Sequence, residues 1–300
     1  MKQEVYVVCG PTATGKSALA VALAKKLGGE VVSADSMQVY RKMDIGTAKP
    51  TQEERQGIAH HMLDIVDPDE AYSVAQYQRQ AGECIADILT RNRVPILAGG
   101  SGLYINAITH SLDFSGPACN DALREELLSL PGEKLFEMLR SEDPEAARRI
   151  HPNNVKRVIR AIEIARTEPR TMPYDFEGTS GEYAFRIVGL TLERPALYRR
   201  IDSRVDRMME LGLVEEAGML YNTYGSGLPS MQAIGYKEFA PYFQGAASLE
   251  DVVFTIKRNT RRFAKRQCTW FARDSRIVWI DVSKYDSACT MADCVLESKQ

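Results

Sequence analysis

Residues Gly10 to Ser17 read G-P-T-A-T-G-K-S, which fits G-x-x-x-x-G-K-[ST] and lies between an apolar strand-like run and a helical one. In that setting Gly10, Pro11, Thr12, Ala13, Thr14 and Gly15 form a loop whose backbone N–H groups can turn towards an anion, helped by the positive end of the following helix. Lys16 can reach terminal phosphates, and the Ser17 hydroxyl can hold Mg²⁺. The chemistry implied is capture of a di- or triphosphate, with the attached group left open. A nucleotidase of this type carries an acid at the end of a second apolar strand, yet V-P-I-L-A-G-G ends in Gly99, Gly100 and Ser101. The acid stands instead at Asp35, closing E-V-V-S-A-D. An acid there can act as a metal ligand through water, a substrate-orienting group, a general base or a turn aspartate.

These residues need a scaffold that presents loops along one edge. E-V-Y-V-V-C-G, E-V-V-S-A-D and V-P-I-L-A-G-G read as strands separated by helical stretches, and Phe185–Leu192 and Arg276–Val282 offer two more. That alternation predicts an α/β fold with a P-loop NTPase-like parallel sheet core. From Asp113 to Glu182 the texture is helical and then turn-rich, which predicts a small all-helical insertion domain. The expected division is residues 1–112 as the first part of the core, 113–184 as the insertion and 185–300 as the second part.

At 300 residues, with 44% hydrophobic and 26% charged residues, the composition is that of a globular protein and excludes a disordered or fibrous chain. No apolar run is long enough for a membrane span, and the N-terminus enters a strand without a signal-peptide pattern, so the expectation is a cytoplasmic protein. It is read as a monomer. The six cysteines (Cys9, Cys84, Cys119, Cys268, Cys289, Cys294) form no C-x-x-C pair and read as reduced thiols. The net charge of −2 conceals a local excess. Thr255 to Arg273 carries Lys257, Arg258, Arg261, Arg262, Lys265, Arg266 and Arg273 without one acid. On a helix, Arg258, Arg262, Lys265 and Arg266 share a side while Phe263, Gln267 and Trp270 share another, the arrangement expected for phosphate contacts beside packing or base stacking. For Trp270 and Phe271, core packing is the favoured reading.

Several segments taken together resemble the tRNA dimethylallyltransferases, also called tRNA isopentenyltransferases. Beyond the phosphate loop these are D-S-M-Q-V-Y (Asp35–Tyr40), M-D-I-G-T-A-K-P (Met43–Pro50), H-H-M-L-D-I-V-D-P (His60–Pro68), G-G-S-G-L-Y (Gly99–Tyr104), H-P-N-N-V-K-R-V-I-R-A-I-E (His151–Glu163), Q-A-I-G-Y-K-E (Gln232–Glu238) and A-K-R-Q-C-T-W-F (Ala264–Phe271). They follow the family's order over nearly the whole chain. The resemblance implies transfer of a dimethylallyl group from dimethylallyl diphosphate to N6 of the adenosine just 3′ of a tRNA anticodon, with Mg²⁺ at Ser17 and release of pyrophosphate.

It also implies residue roles. Asp35 matches the family's general base, and Ser101 stands where the family usually has threonine, keeping a hydroxyl for the target amine or for Asp35. Arg204 matches an arginine that reaches the pyrophosphate; taken alone it reads as a solvated helix face. The anticodon stem-loop would be held by Arg262, Lys265 and Arg266 and, in an insert that swings over the tRNA in the family, by Arg124, Arg157 and Arg160. Ser36, Met37, Gln38, Gln232 and Lys237 are candidates for contacting the bases around the target. Asn154 replaces the commoner aspartate, and Thr167–Met172 lacks the family's helix-ending glycine. Three rival readings are a nucleotide or small-molecule kinase, a prenyltransferase of free adenine nucleotides, and a non-catalytic RNA-binding module. The basic regions speak against the first two, and intact Lys16, Ser17 and Asp35 against the third.

Overall fold

β1 (Glu4–Cys9) is apolar after its first residue, and Val5 to Cys9 are buried. A strand of this kind is stable only if both its faces are covered. Its side chains alternate accordingly: Val5, Val7 and Cys9 belong to one core, Tyr6 and Val8 to another on the opposite face. The computed structural model describes residues 2–110, 112, 121–167 and 183–298. After β1 come α1 (Lys16–Leu27), β2 (Glu30–Ser33), the short α2 (Gln52–Arg55), β3 (His60–His61), α3 (Val74–Thr90), β4 (Pro95–Ala98) and α4 (Gly102–Thr109). Four helices follow: α5 (Asp121–Leu128), α6 (Gly132–Glu142), α7 (Pro144–Arg149) and α8 (Val155–Thr167). The chain then forms β5 (Ala184–Thr191), α9 (Arg194–Glu210), α10 (Leu213–Tyr224), α11 (Ala240–Phe243), α12 (Leu249–Phe271), β6 (Val278–Asp281) and α13 (Ala288–Glu297).

The sheet has six strands in the order β3-β2-β4-β1-β5-β6, every neighbouring pair parallel. Val7 of β1 sits opposite Leu97 on one side and Ile187 on the other. Because all strands run one way, the loops after β1, β2 and β4 leave the same edge. β3 is an addition to the expected strands: two histidines recruited by pairing with Val31 and Val32, too short for any alternation to announce it.

The chain divides into two compact units, Met1–Ser111 with Thr179–Gln300, and Leu112–Gly178. The second closes around its own core, which includes Leu127, Leu135, Leu139, Val158 and Ile162. The turn-rich run from Glu168 to Glu182, the end of the Thr167–Met172 motif and Cys119 lie outside the described residues. In the first unit, α12 opens on a capping box in which the Ser248 hydroxyl accepts from the Asp251 N–H (3.2 Å) and the Asp251 carboxylate accepts from the Ser248 N–H (3.1 Å). Lys257 and Arg261 pair with Asp206 and Asp202 of α9, both at 2.5 Å. That leaves Arg258, Arg262, Lys265 and Arg266 exposed together, while Trp270 packs against Gly102.

At the sheet edge away from the loops, the Glu30 carboxylate is buried and receives both terminal nitrogens of Arg91, Arg93 at 3.1 Å and His61 at 2.7 Å. The Arg91 hydrogen bonds outweigh burial and, with His61, pull its pKa from 4.5 to about 2. A carboxylate lowered in this way stabilises the fold above its ordinary range and loses that contribution as pH falls towards the folded value. We therefore expect acid unfolding between about pH 4.5 and 2 to carry a Glu30 component. Denaturant titrations across that range should show the wild-type slope flattened in Glu30→Gln; an unchanged slope would remove Glu30 from the acid response.

Candidate active site

The loop edge of the sheet opens into a cleft of about 330 Å³. On one side lies the phosphate loop. Gly15 (φ 90°) caps α1 in the left-handed region, and the Thr14 hydroxyl donates to the Pro11 carbonyl at 2.8 Å, which folds the loop on itself. Lys16 also donates to the Pro11 carbonyl, at 2.8 Å, so its ammonium is held over the loop. Burial, reinforced by nearby Arg204 and opposed by Asp35, lowers its pKa to about 8. Ser17 lies exposed in the first turn of α1.

Two groups brace this loop from distant parts of the chain. Arg204, from α9, donates to the Thr12 hydroxyl at 3.1 Å and lines the cleft. Burial lowers its pKa, with Asp35 acting in the other direction. Gln267, buried on α12, accepts from the Thr12 N–H at 2.9 Å and donates to the Gly100 carbonyl at 3.0 Å. A Cβ at Gly100 would strike the Gln267 amide, so only glycine admits this bridge. In the sequence Gln267 shares a stripe with Phe263 and Trp270. A polar residue on an otherwise apolar helix face was the available signal that it serves a buried hydrogen bond.

Asp35 leaves β2 into the cleft and closes an Asx turn, its Oδ1 accepting from the Met37 N–H at 2.9 Å and the Gln38 N–H at 3.4 Å. The turn fixes one carboxylate oxygen and leaves Oδ2 without a hydrogen bond among the described residues. Ser101 does not bond Asp35. Its hydroxyl accepts from the Ser36 N–H (2.9 Å) and donates to the Ser36 hydroxyl (3.2 Å), because the Asx turn swings Ser36 towards it. Opposite, Ile201, Val205 and Met208 of α9 and Ile256 and Phe263 of α12 form an apolar wall.

The structure gathers Thr12, Asp35, Ser36, Met37, Ser101, Arg204, Gln232, Lys237 and Arg266 around the cleft. Gln38 is not brought there: its amide donates to the Thr47 and Ala48 carbonyls, each at 3.2 Å, and accepts from Ser33 at 3.3 Å. Arg262 and Lys265 stand on the exposed face of α12, where Arg266 also lies over the Phe263 ring at 5.6 Å. Within the helical unit Arg157 is exposed, whereas Arg124 (2.8 Å) and Arg160 (3.1 Å) converge on the buried Glu163 carboxylate. That pairing gives both a structural task the sequence did not announce. Lys49 was also missed. Buried, it donates to the Tyr40 carbonyl (2.8 Å) and to Asp44 and Asp64 (2.6 Å each), pinning the segment that follows Asp35.

Among the described residues no cluster of three or more His, Cys, Asp or Glu could hold a metal by itself. The exposed Ser17 hydroxyl is a hard oxygen donor in the first turn of α1, at the end of the Gly10–Ser17 loop. That fits Mg²⁺, which takes one or two protein oxygens and completes its shell with phosphate and water. No helix among the described residues is long and apolar enough to cross a membrane.

The sequence model of the IPP transferase family matches residues 38–274. The chain is 46% identical over 305 aligned positions to a protein named tRNA dimethylallyltransferase from Alkaliphilus oremlandii, covering 99% of this chain and 97% of the relative. It is 47% identical to the protein of the same name from Geobacillus kaustophilus, covering 94% and 92%. Among solved structures, the tRNA isopentenylpyrophosphate transferase of Bacillus halodurans superposes with a TM-score of 0.75 at 43% identity, covering 99% of this chain and 96% of that one. A eukaryotic dimethylallyltransferase captured acting on tRNA superposes with a TM-score of 0.83 at 30% identity, covering 97% and 77%.

Because the Lys16 pKa is lowered, any anion affinity that depends on its ammonium is sensitive to pH. Affinity for pyrophosphate, measured by calorimetry, should fall as pH rises through about 8, where the ammonium loses its proton. Lys16→Arg should remove that component, since a guanidinium stays charged over the range. A wild-type profile identical to that of Lys16→Arg would show that Lys16 does not set it.

Proposed function

The chain belongs to the IPP transferase family, and from that premise we propose that it transfers a dimethylallyl group from dimethylallyl diphosphate to N6 of the adenosine 3′-adjacent to the anticodon in tRNA, releasing pyrophosphate. The observation that supports this reading is the meeting, in one cleft, of Thr12 from the Gly10–Ser17 loop, Arg204, Asp35 with one carboxylate oxygen outside its turn, and an apolar wall. An allylic diphosphate needs the loop, the arginine and the wall, and an exocyclic amine acceptor needs the aspartate.

The five-carbon group lies against Ile201, Val205, Met208 and Ile256, gaining roughly 0.8 kcal/mol per buried CH₂. Its diphosphate is held by the loop amides, Lys16 and Arg204. Mg²⁺, held by the Ser17 hydroxyl, supplies charge neutralisation on the diphosphate when bound. The amine lone pair is delocalised into the purine, so N6 attacks well only as its proton is removed. Asp35 Oδ2 takes that proton while the N6–carbon bond forms and the carbon–oxygen bond to the diphosphate breaks. The two electrons of the broken bond leave with pyrophosphate, against the cationic side of the cleft. Ser101 acts through Ser36, holding the backbone of the Asx turn that aims Asp35.

The target base must leave the anticodon loop stack at a cost of about a few kcal/mol. Phosphate contacts from Arg258, Arg262, Lys265 and Arg266 offset it, because these four cations have an exposed face to themselves once Lys257 and Arg261 have turned to α9.

The deciding assay uses labelled dimethylallyl diphosphate, Mg²⁺ and an unmodified anticodon stem-loop, with AMP as a second acceptor and ATP hydrolysis as control. Label should enter the stem-loop alone; ATP turnover without transfer would support the kinase reading instead. Asp35→Ala should lower kcat by about 10² to 10⁴ with stem-loop affinity within about twofold of wild type. Near-normal turnover would take Asp35 out of the base role. In filter binding across salt concentrations, Arg262→Gln with Arg266→Gln should reduce the log–log slope by about 0.7 to 0.9 per lost contact. An unchanged slope would put these arginines off the RNA.

A further inference from the structure

Glu216 lies on α10 and lines no part of the cleft. It nevertheless receives four hydrogen bonds. Its Oε2 accepts from the N–H groups of Asp44 (3.1 Å) and Ile45 (2.8 Å), and its Oε1 from the Gly46 N–H (3.0 Å) and the Tyr236 hydroxyl (2.7 Å). Three consecutive backbone donors converging on one anion form a nest, here filled by a side chain from 170 residues downstream of Gly46. Burial, followed by the neighbouring Glu216, raises the Tyr236 pKa far above its usual value, so the hydroxyl remains a donor.

The four partners of Glu216 belong to two cleft-lining loops. Gly46 and Thr47 line the cleft from one loop, and Gln232, Gly235 and Lys237 from the other. The loops interlock, since a Cβ on Gly46 would sit 2.5 Å from the Tyr236 ring and one on Gly235 would sit 3.3 Å from the Gly46 carbonyl. The Thr47 carbonyl in turn fixes the Gln38 amide, three residues from Asp35. Neither loop has a hydrogen bond to Gly10–Ser17 among the described residues. The phosphate side is braced separately, by Gln267 and Arg204.

We infer that Glu216 is a positioning residue for the acceptor side of the cleft: its carboxylate sets the spacing of the Met43–Pro50 and Gln232–Glu238 loops that receive the acceptor base, independently of diphosphate binding. This rests on the reading of the cleft as a prenyl transfer site with an RNA acceptor. The nucleophilic base enters between those loops, so slack there costs acceptor recognition and leaves the diphosphate cradle intact.

The test compares wild type with Glu216→Ala, Glu216→Gln and Tyr236→Phe, varying stem-loop at saturating dimethylallyl diphosphate and the reverse, with pyrophosphate affinity measured by calorimetry. Losing charge-assisted hydrogen bonds to the loop should raise the stem-loop KM about tenfold or more in Glu216→Ala. The diphosphate KM and pyrophosphate Kd should stay within about twofold. Glu216→Gln should fall in the same direction, since its NH₂ cannot accept from backbone donors, and Tyr236→Phe should show a smaller shift of the same kind. If Glu216→Ala does not fold, the other two variants carry the comparison. A fall in kcat with both KM values unchanged would mark a general structural role and overturn the inference, as would equal rises in both. If wild type transfers no label, the functional reading fails. The inference is then judged on stem-loop affinity alone, and falls unless Glu216→Gln weakens it without changing pyrophosphate affinity.

Discussion

Parallel pairing along both edges of β1 is the constraint from which the rest follows. A central strand bonded on each side to neighbours of the same direction requires crossovers that return the chain to the far end every time. All the turns at the other end are then free to differ. The phosphate loop, the Asp35 turn and the Gly99–Ser101 turn converge because three strands end together, and not because these segments attract one another. The cost is a sheet that must be apolar on both faces, which explains why β1 has no charge after Glu4.

Electrostatics divides the cationic side chains into two populations. Some are consumed by ion pairs in which at least one partner is buried or half-buried: Arg91 and Arg93 by the buried Glu30, Arg124 and Arg160 by the buried Glu163, the buried Lys49 by Asp44 and Asp64, and Arg261 by Asp202. Breaking such a pair would strand a desolvated charge, so these cations are tied to the fold. Others, including Lys16 and Arg204, have no ion pair among the described residues, with Asp35 as a nearby acid. Net charge says nothing of this division; partner geometry makes it.

What the sequence disclosed was what lies close together along the chain. The octet at Gly10–Ser17 is a local device, and its strand and helix neighbours are adjacent to it. Asp35 was legible for the same reason, at the end of an apolar run. The basic side of α12 followed from helical spacing alone. What stayed hidden depends on contacts between remote positions: the bond of Ser101 to Ser36, 65 residues away, the pairing of Arg124 with Glu163, 39 residues away, and the bridge from Gln267 to Thr12, 255 residues away. Gln38 shows the same limit from the other direction. Its place beside Asp35 suggested a side chain facing the base, but carbonyls of a later loop capture its amide. β3 became a strand only because β2 offered an edge.

The Gln267 amide has its oxygen on the phosphate loop and its nitrogen on the Gly100 turn, while its backbone belongs to the helix bearing the exposed cations. Rotation of α12 about its own axis would pull the amide from one loop or the other, since a planar group of fixed length cannot follow both. The helix is thereby keyed like a shaft in its slot. The azimuth at which it presents Arg262 and Arg266 is referenced to the same two turns that carry Thr12 and Ser101.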